Sequence, residues 1–207
     1  MQNLKEFVKN GKAKEAEART MELLAQNVDA EKIMSEALIP AMDEVGDLFQ
    51  KGEYFVPEML VAARAMKQAM NVLRPIFKEK GVQSLGKVVM GTVKGDLHDI
   101  GKNLVCMMLE GAGYQVLDLG VNVEPVKFVD AVVTGKADAI GMSALLTTTM
   151  TSMKTTIDAF KEAGVREKVK IMVGGAPLTQ NFADEIGADG YAPDAASAVD
   201  LMKSLVK

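Results

Sequence analysis

The sequence predicts an α/β protein: an N-terminal four-helix bundle, then a flavodoxin-like, Rossmann-like domain on a five-stranded parallel sheet. Three observations predict it. Up to Lys80 the apolar residues recur at helical spacing, without a strand-like run. From Lys87 onward short β-branched runs alternate with helical stretches, the pattern of β–α units joined by right-handed crossovers. Between the two regimes, Gly81-Val82-Gln83-Ser84-Leu85-Gly86 follows neither period and reads as a linker, which divides the chain into domains 1–85 and 86–207.

The helical half begins with a short helix, 3–9, stopped near Gly11, and a second one over 13–26. Asp29 is placed to cap a third helix, 30–50, in which Ile33, Ala37, Met42, Val45 and Phe49 share a face; Pro40 should kink it, because proline lacks a donor and crowds the preceding turn. Gly52 to Val56 makes a turn, and Pro57 suits the first position of a fourth helix. Leu60, Ala63, Met66, Met70, Leu73 and Phe77 form its apolar stripe, and Pro75 bends its end.

In the second half, strands are expected at 87–93, 115–119, 139–143, 170–173 and 190–192. Helices are expected at 100–110, 125–133, 150–163, 178–186 and 195–206. In a flavodoxin-like order, 2-1-3-4-5, the crevice opens between strands 1 and 3 at their carboxyl ends. Two polar loops then converge there: Gly95-Asp96-Leu97-His98-Asp99-Ile100-Gly101 and Ser143-Ala144-Leu145-Leu146-Thr147-Thr148-Thr149. The exit of strand 4, Gly174-Gly175-Ala176, offers backbone without side-chain bulk, so a large group can approach closely.

Composition removes several function classes. With 48% hydrophobic and 25% charged residues the chain is a soluble globular type, long enough at 207 residues to bury a sizeable core. Its net charge of −4 comes without a dense basic cluster, so no nucleic acid is expected as partner. No apolar run reaches membrane-spanning length, and the N-terminus lacks the basic and apolar regions of a signal peptide; the expectation is a cytoplasmic protein without a membrane partner. The lone cysteine, Cys106, is expected as a small buried hydrophobe on the helix face of Ile100, Leu104, Met107 and Met108.

His98 is the only histidine. A tetrahedral zinc site needs three or four protein ligands, and this chain has one imidazole and a cysteine two turns further on. A metal already held in the plane of a macrocycle needs only one axial ligand, and Asp96 is spaced to accept a bond from the other imidazole nitrogen. On residue types alone, a capping Asp96 or Asp99 beside a solvated His98 explains the string equally well.

Asp96-Leu97-His98-Asp99-Ile100-Gly101, followed by Ser143-x-Leu145 and Gly174-Gly175, resembles the signature of base-off, histidine-on cobalamin-binding domains. The helical half, through Asp47 to Pro57, resembles the partner domain found beside it in methyl transfer. Nearly the whole chain is therefore similar to stand-alone corrinoid proteins of methyltransferase systems, and to the cobalamin-binding region of methionine synthase.

The resemblance implies His98 as the lower axial ligand to cobalt, with Asp96 hydrogen-bonded to it and Thr149 continuing the relay. It implies a cofactor loop of Gly95, Asp96, Leu97, His98, Asp99 and Gly101, and a nucleotide tail lying along Ser143, Leu145, Thr147, Gly174 and Gly175 toward Tyr191 and Ala195. Phe49 and Val56 match residues that shield a cobalt-bound methyl, so the helical half is expected to act as a methyl cap. The implied activity is that of a methyl carrier cycling between methylcobalamin and cob(I)alamin, a subunit rather than a stand-alone enzyme. Its expected partners are a substrate-specific methyltransferase, a second methyltransferase with a thiol or tetrahydrofolate acceptor, and a reductive activation protein. Alternatives are a cobalamin-dependent sensor, which would need a signalling module this chain does not display, and the small cobalamin subunit of a mutase, against which the helical half argues. A flavodoxin or phosphoacceptor domain would leave the relay and the glycine turn unexplained.

Overall fold

The computed structural model describes residues 1–80 and 84–206. The chain divides into two compact units, Met1–Gln83 with Glu110–Gly113, and Ser84–Leu109 with Tyr114–Lys207.

The first unit is helical: α1 (Gln2–Lys9), α2 (Ala13–Ala25), α3 (Ala30–Ile33), α4 (Ile39–Gln50) and α5 (Val56–Lys80). Asp29 caps α3, its carboxylate accepting from Glu31 N at 2.8 Å. Between α3 and α4 the chain makes a π-helical turn, Met34–Leu38. Pro40 is the second residue of α4, just past this turn, so the expected irregularity is taken up as a wider turn within one continuous helical run of three segments, α3, the π turn and α4. Widening the turn relieves the proline ring's clash with the preceding carbonyl.

The buried face of α5 differs from the expected stripe. Met59, Ala62, Ala63, Met66, Ala69 and Leu73 are enclosed, whereas Leu60 is 40% exposed. Ala63, Met66 and Leu73 of the expected stripe are thus kept, and four buried alanines, Ala62, Ala63, Ala65 and Ala69, broaden the buried face of α5, which packs against α2. Pro75 lies inside α5.

The second unit is a parallel sheet of β1 (Lys87–Thr92), β2 (Gln115–Asp118), β3 (Ala139–Ser143), β4 (Lys170–Gly174) and β5 (Gly190–Ala192). Its order is β2-β1-β3-β4-β5, as the sequence predicts. The connections run through α6 (Ile100–Gly111), α7 (Pro125–Val133), α8 (Thr151–Glu162) and α9 (Gln180–Ile186), and α10 (Ala195–Leu205) closes the chain. Successive residues of a strand face opposite sides, yet Val88 through Thr92 are all buried, so both faces of the sheet are covered. On one face Phe128, Ile157, Phe160 and Ile186 pack with Val89, Ile140 and Ile171 in a single apolar cluster.

Register sets the functional edge. Thr92 pairs with Ser143, Ser143 with Gly174, and Gly174 with Ala192, so four strand ends stand in one row and their exit loops leave side by side. Two expectations change at this edge. Ile100, placed by its spacing on the buried face of α6, is 83% exposed because it opens the helix beyond the strand ends; Cys106 is half-buried rather than enclosed. No helix among the described residues is long and apolar enough to cross a membrane.

Candidate functional site

The β1 exit carries the site. Gly95 adopts φ +85°, a left-handed conformation that turns the chain back so that Asp96 enters the protein while Leu97 and His98 face out. Asp96 is fully buried, and Leu97 is 70% exposed. The Asp96 carboxylate gathers five donors. Oδ1 accepts from His98 N at 3.0 Å and lies 2.7 Å from His98 Nδ1. Oδ2 accepts from the Thr149 hydroxyl at 2.7 Å and from the backbone N–H groups of Leu145 at 2.8 Å and Leu146 at 3.3 Å. Burial opposes the charge, but bonds from the His98 and Leu145 amides, the Thr149 hydroxyl and the His98 ring outweigh it and hold the carboxyl well below the usual carboxylate range.

An ionised carboxylate only accepts, so His98 Nδ1 is the donor, and in the neutral ring the lone pair is on Nε2. The His98 side chain is half exposed, which leaves that lone pair reachable from outside. Among the described residues no three His, Cys, Asp or Glu side chains gather, so the donor set is one oriented imidazole. Such a set suits a metal whose other positions are already filled.

The neighbouring residues keep the loop in place. The Thr92 hydroxyl donates to His98 O at 2.8 Å, and the Ser152 hydroxyl to Lys94 O at 3.0 Å. Asp99 opens α6 through its carbonyl, which accepts from Asn103 N at 2.7 Å, and its carboxylate accepts from the Asn103 amide at 3.1 Å. Of the two capping candidates, Asp99 therefore holds the helix entry, while Asp96 is committed to the β3 exit. Lys102, buried in the first turn of α6, donates to Asn103 Oδ1 at 2.7 Å and ion-pairs with Asp118 at the end of β2.

The β3 and β4 exits touch. Gly175 has φ +138°, and a Cβ there would come within 1.9 Å of Ala144 O, so only glycine fits. Gly101 is different: its φ is ordinary, and a Cβ would meet nothing within 4 Å. The folded chain gives no reason for glycine in that first helical turn, where it is a poor helix former; open space for a group lying over the loop is the reason the site offers. Leu97 and Ile100 of the histidine loop and Leu145 and Leu146 of the β3 exit, whose amides hold Asp96, are all exposed, so both loops offer apolar surface.

The cobalamin-binding (B12 binding) domain model matches residues 86–200, and a second B12 binding domain model matches residues 1–74. The chain belongs to the cobalamin-binding corrinoid proteins. It is 43% identical over 194 residues to dimethylamine corrinoid protein 1 of Methanosarcina acetivorans, covering 93% of this chain and 91% of that one. It is 44% identical over 188 residues to trimethylamine corrinoid protein 2 of Methanosarcina mazei, covering 90% of this chain and 86% of that one. Among solved structures, the methanol:cobalamin methyltransferase complex MtaBC from Methanosarcina barkeri contains a chain that superposes with a TM-score of 0.86 at 27% identity, covering 98% of this chain and 78% of that one.

The cofactor of this corrinoid protein is a cobalamin-type corrinoid, and the oriented imidazole, the exposed leucines of the two loops and the open space beside Gly101 fit it. The corrinoid protein brings His98, Asp96, Leu145 and Thr149 together, with Gly95, Leu97 and Asp99 in the same loop and Gly101 in the first turn of α6. Ser143 and Gly174 stand in the strand-end row, half-buried, and Thr147 is exposed. Tyr191 is half-buried against the apolar cluster, and Ala195, buried, begins α10. In the helical unit Phe49 is half-buried near the end of α4, while Val56, the first residue of α5, is 40% exposed beside Phe55 at 64%. Sequence reasoning missed Thr92, Asn122 and Leu146. Two of these act through hydroxyl or amide groups common in any loop, and Leu146 through its backbone N–H, so none had a signal in residue type.

Proposed function

We propose that this corrinoid protein is a methyl carrier in which His98 is the lower axial ligand. It takes a methyl group from a small donor through a substrate-specific methyltransferase and yields it to a second methyltransferase acting on a thiol or tetrahydrofolate. A reductive activation protein restores it after oxidation. One observation carries the ligand assignment: His98 Nδ1 is 2.7 Å from a fully buried carboxylate, so the ring is oriented with Nε2 outward.

When bound, the corrinoid supplies the nucleophilic metal centre that accepts and releases the methyl group. The protein's part is to present or withdraw the imidazole. Asp96 keeps its other donors, Leu145 N, Leu146 N and Thr149, whichever position His98 takes, so the ring swings against a fixed acceptor. Phe49 and Val56 are assigned as shields of the methyl group by the resemblance alone. The relatives named for dimethylamine and for trimethylamine match equally well, so the donor class is a small methylated amine or alcohol.

The test is the visible spectrum of methylcobalamin-loaded protein, wild type against His98→Ala, together with methylation by purified dimethylamine, trimethylamine and methanol methyltransferases. Histidine-on wild type and base-off His98→Ala, with labelled methyl appearing on the wild type from one of the donors, is the expected result. A base-off wild type removes His98 as ligand; a histidine-on protein that no methyltransferase labels removes the carrier role.

A further inference from the structure

The loop that carries His98 is held from two sides. On the β3 side the Asp96 carboxylate is fastened by Leu145, Leu146 and Thr149. On the β2 side Glu124 ion-pairs with Lys94 at 3.1 Å, and Asn122 holds the two residues that follow. Asn122 Oδ1 accepts from Gly95 N at 2.8 Å, and Asn122 N donates to Asp96 O at 2.9 Å, so one asparagine grips both residues immediately before the Leu97-His98 step. The grip requires unusual backbone at both ends. Asn122 sits at φ 50° and Gly95 at φ 85°, each in the left-handed region, where asparagine and glycine are the residues most at ease.

The loop bearing Asn122 is itself anchored. Val123 N donates to Thr92 O at 2.9 Å, Val123 bridges Val93, and Thr92 N donates to Gly120 O at 2.9 Å, so the β2 exit is laced to the last residues of β1. The same Thr92 holds His98 O through its hydroxyl. Asn122 is exposed and makes no part of the apolar core, so its side chain serves the loop rather than the fold.

We propose that Asn122 is a positioning residue for the axial imidazole, holding the peptide groups on either side of Gly95-Asp96 and with them the reach of His98. This rests on the reading of His98 as ligand. The two can be separated. Without the Asn122 acceptor, Gly95 N turns to water, and the loop samples positions from which Nε2 falls short, while Asp96 stays fastened on the β3 side. The expected consequence is a weaker histidine-on state with corrinoid still bound.

The experiment uses the full chain loaded with methylcobalamin and reads the histidine-on to base-off ratio from the visible spectrum over a temperature series, for wild type, His98→Ala, Asn122→Gly and Asn122→Asp. Glycine keeps the left-handed backbone and the N–H to Asp96 O but removes the acceptor; aspartate keeps an acceptor. The ratio should fall about fivefold in Asn122→Gly, the effect of one lost hydrogen bond, and return to the wild-type value in Asn122→Asp. Thermal unfolding of the unloaded variants should differ little, which a purely structural residue would not allow. A histidine-on wild type with an unchanged ratio in Asn122→Gly overturns the role of Asn122 alone. Equal loss in Asn122→Gly and Asn122→Asp overturns it too, since the acceptor then does not matter. A base-off wild type, indistinguishable from His98→Ala, overturns the ligand reading and this one with it.

Discussion

Thr149 Oγ1 lies 2.7 Å from Asp96 Oδ2, joining the end of the loop after β3 to the loop after β1 across 53 positions of sequence. The same hydroxyl is 2.8 Å from Leu146 O, so it sits at the point where the β3 loop closes on itself and on the histidine loop. Removing it should loosen both. Thr149→Ala is expected to cost about 1–2 kcal/mol of stability, because a buried acceptor loses a donor, whereas Thr149→Ser keeps the hydroxyl and most of that stability. Urea unfolding of the unloaded protein measures both; equal losses would mean that the methyl group, not the hydroxyl, matters.

Acid should act through Asp96. Its carboxyl is held below the ordinary value of 3.8, so the native state stabilises the charged form. A group whose native pKa is depressed contributes stability that is fully present above its unfolded-state pKa and is lost as pH falls toward the native value. Stability of the wild type should therefore decline below about pH 4, and Asp96→Asn, less stable at neutrality, should decline less steeply there. Chemical unfolding at a series of pH values reads the two slopes. Parallel slopes would assign the acid sensitivity to other carboxylates.

The two glycines of the site should respond in opposite directions. Gly175→Ala drives a Cβ to within 1.9 Å of Ala144 O at φ +138°, and a loss of about 3 kcal/mol is expected from the clash and the backbone strain. Gly101→Ala meets nothing within 4 Å and improves a helical position, so the unloaded protein should gain up to about 1 kcal/mol. Corrinoid affinity should nevertheless fall in Gly101→Ala, since the added methyl occupies the space over the loop. Calorimetric unfolding with and without methylcobalamin separates the effects; unchanged affinity would leave Gly101 without a role in binding.

Much of the site was legible before any coordinates. The order of strands and helices follows from periodicity, which is local, and so do the capping Asp29 and the placing of His98 and Asp96 in a strand-to-helix loop. The partnership of Asp96 with Thr149 was legible only through resemblance, because nothing in a lone threonine marks it as a donor to a carboxylate 53 positions earlier. Leu60 and Ile100 misled for a simple reason: apolar residues at helical spacing promise a buried face but do not say where the covering element ends.

By itself the sequence determined which elements form, their order in the chain, and the one imidazole able to act as a ligand. Tertiary structure alone decided the rest. It chose the amides of Leu145 and Leu146 to hold Asp96, Asn122 to grip Gly95, and Gly175 to pass the Ala144 carbonyl. Every residue but proline carries the same N–H, and every residue the same C=O, so the partners of a backbone group are set by where the parallel register brings the strand ends, not by the identity of the side chain.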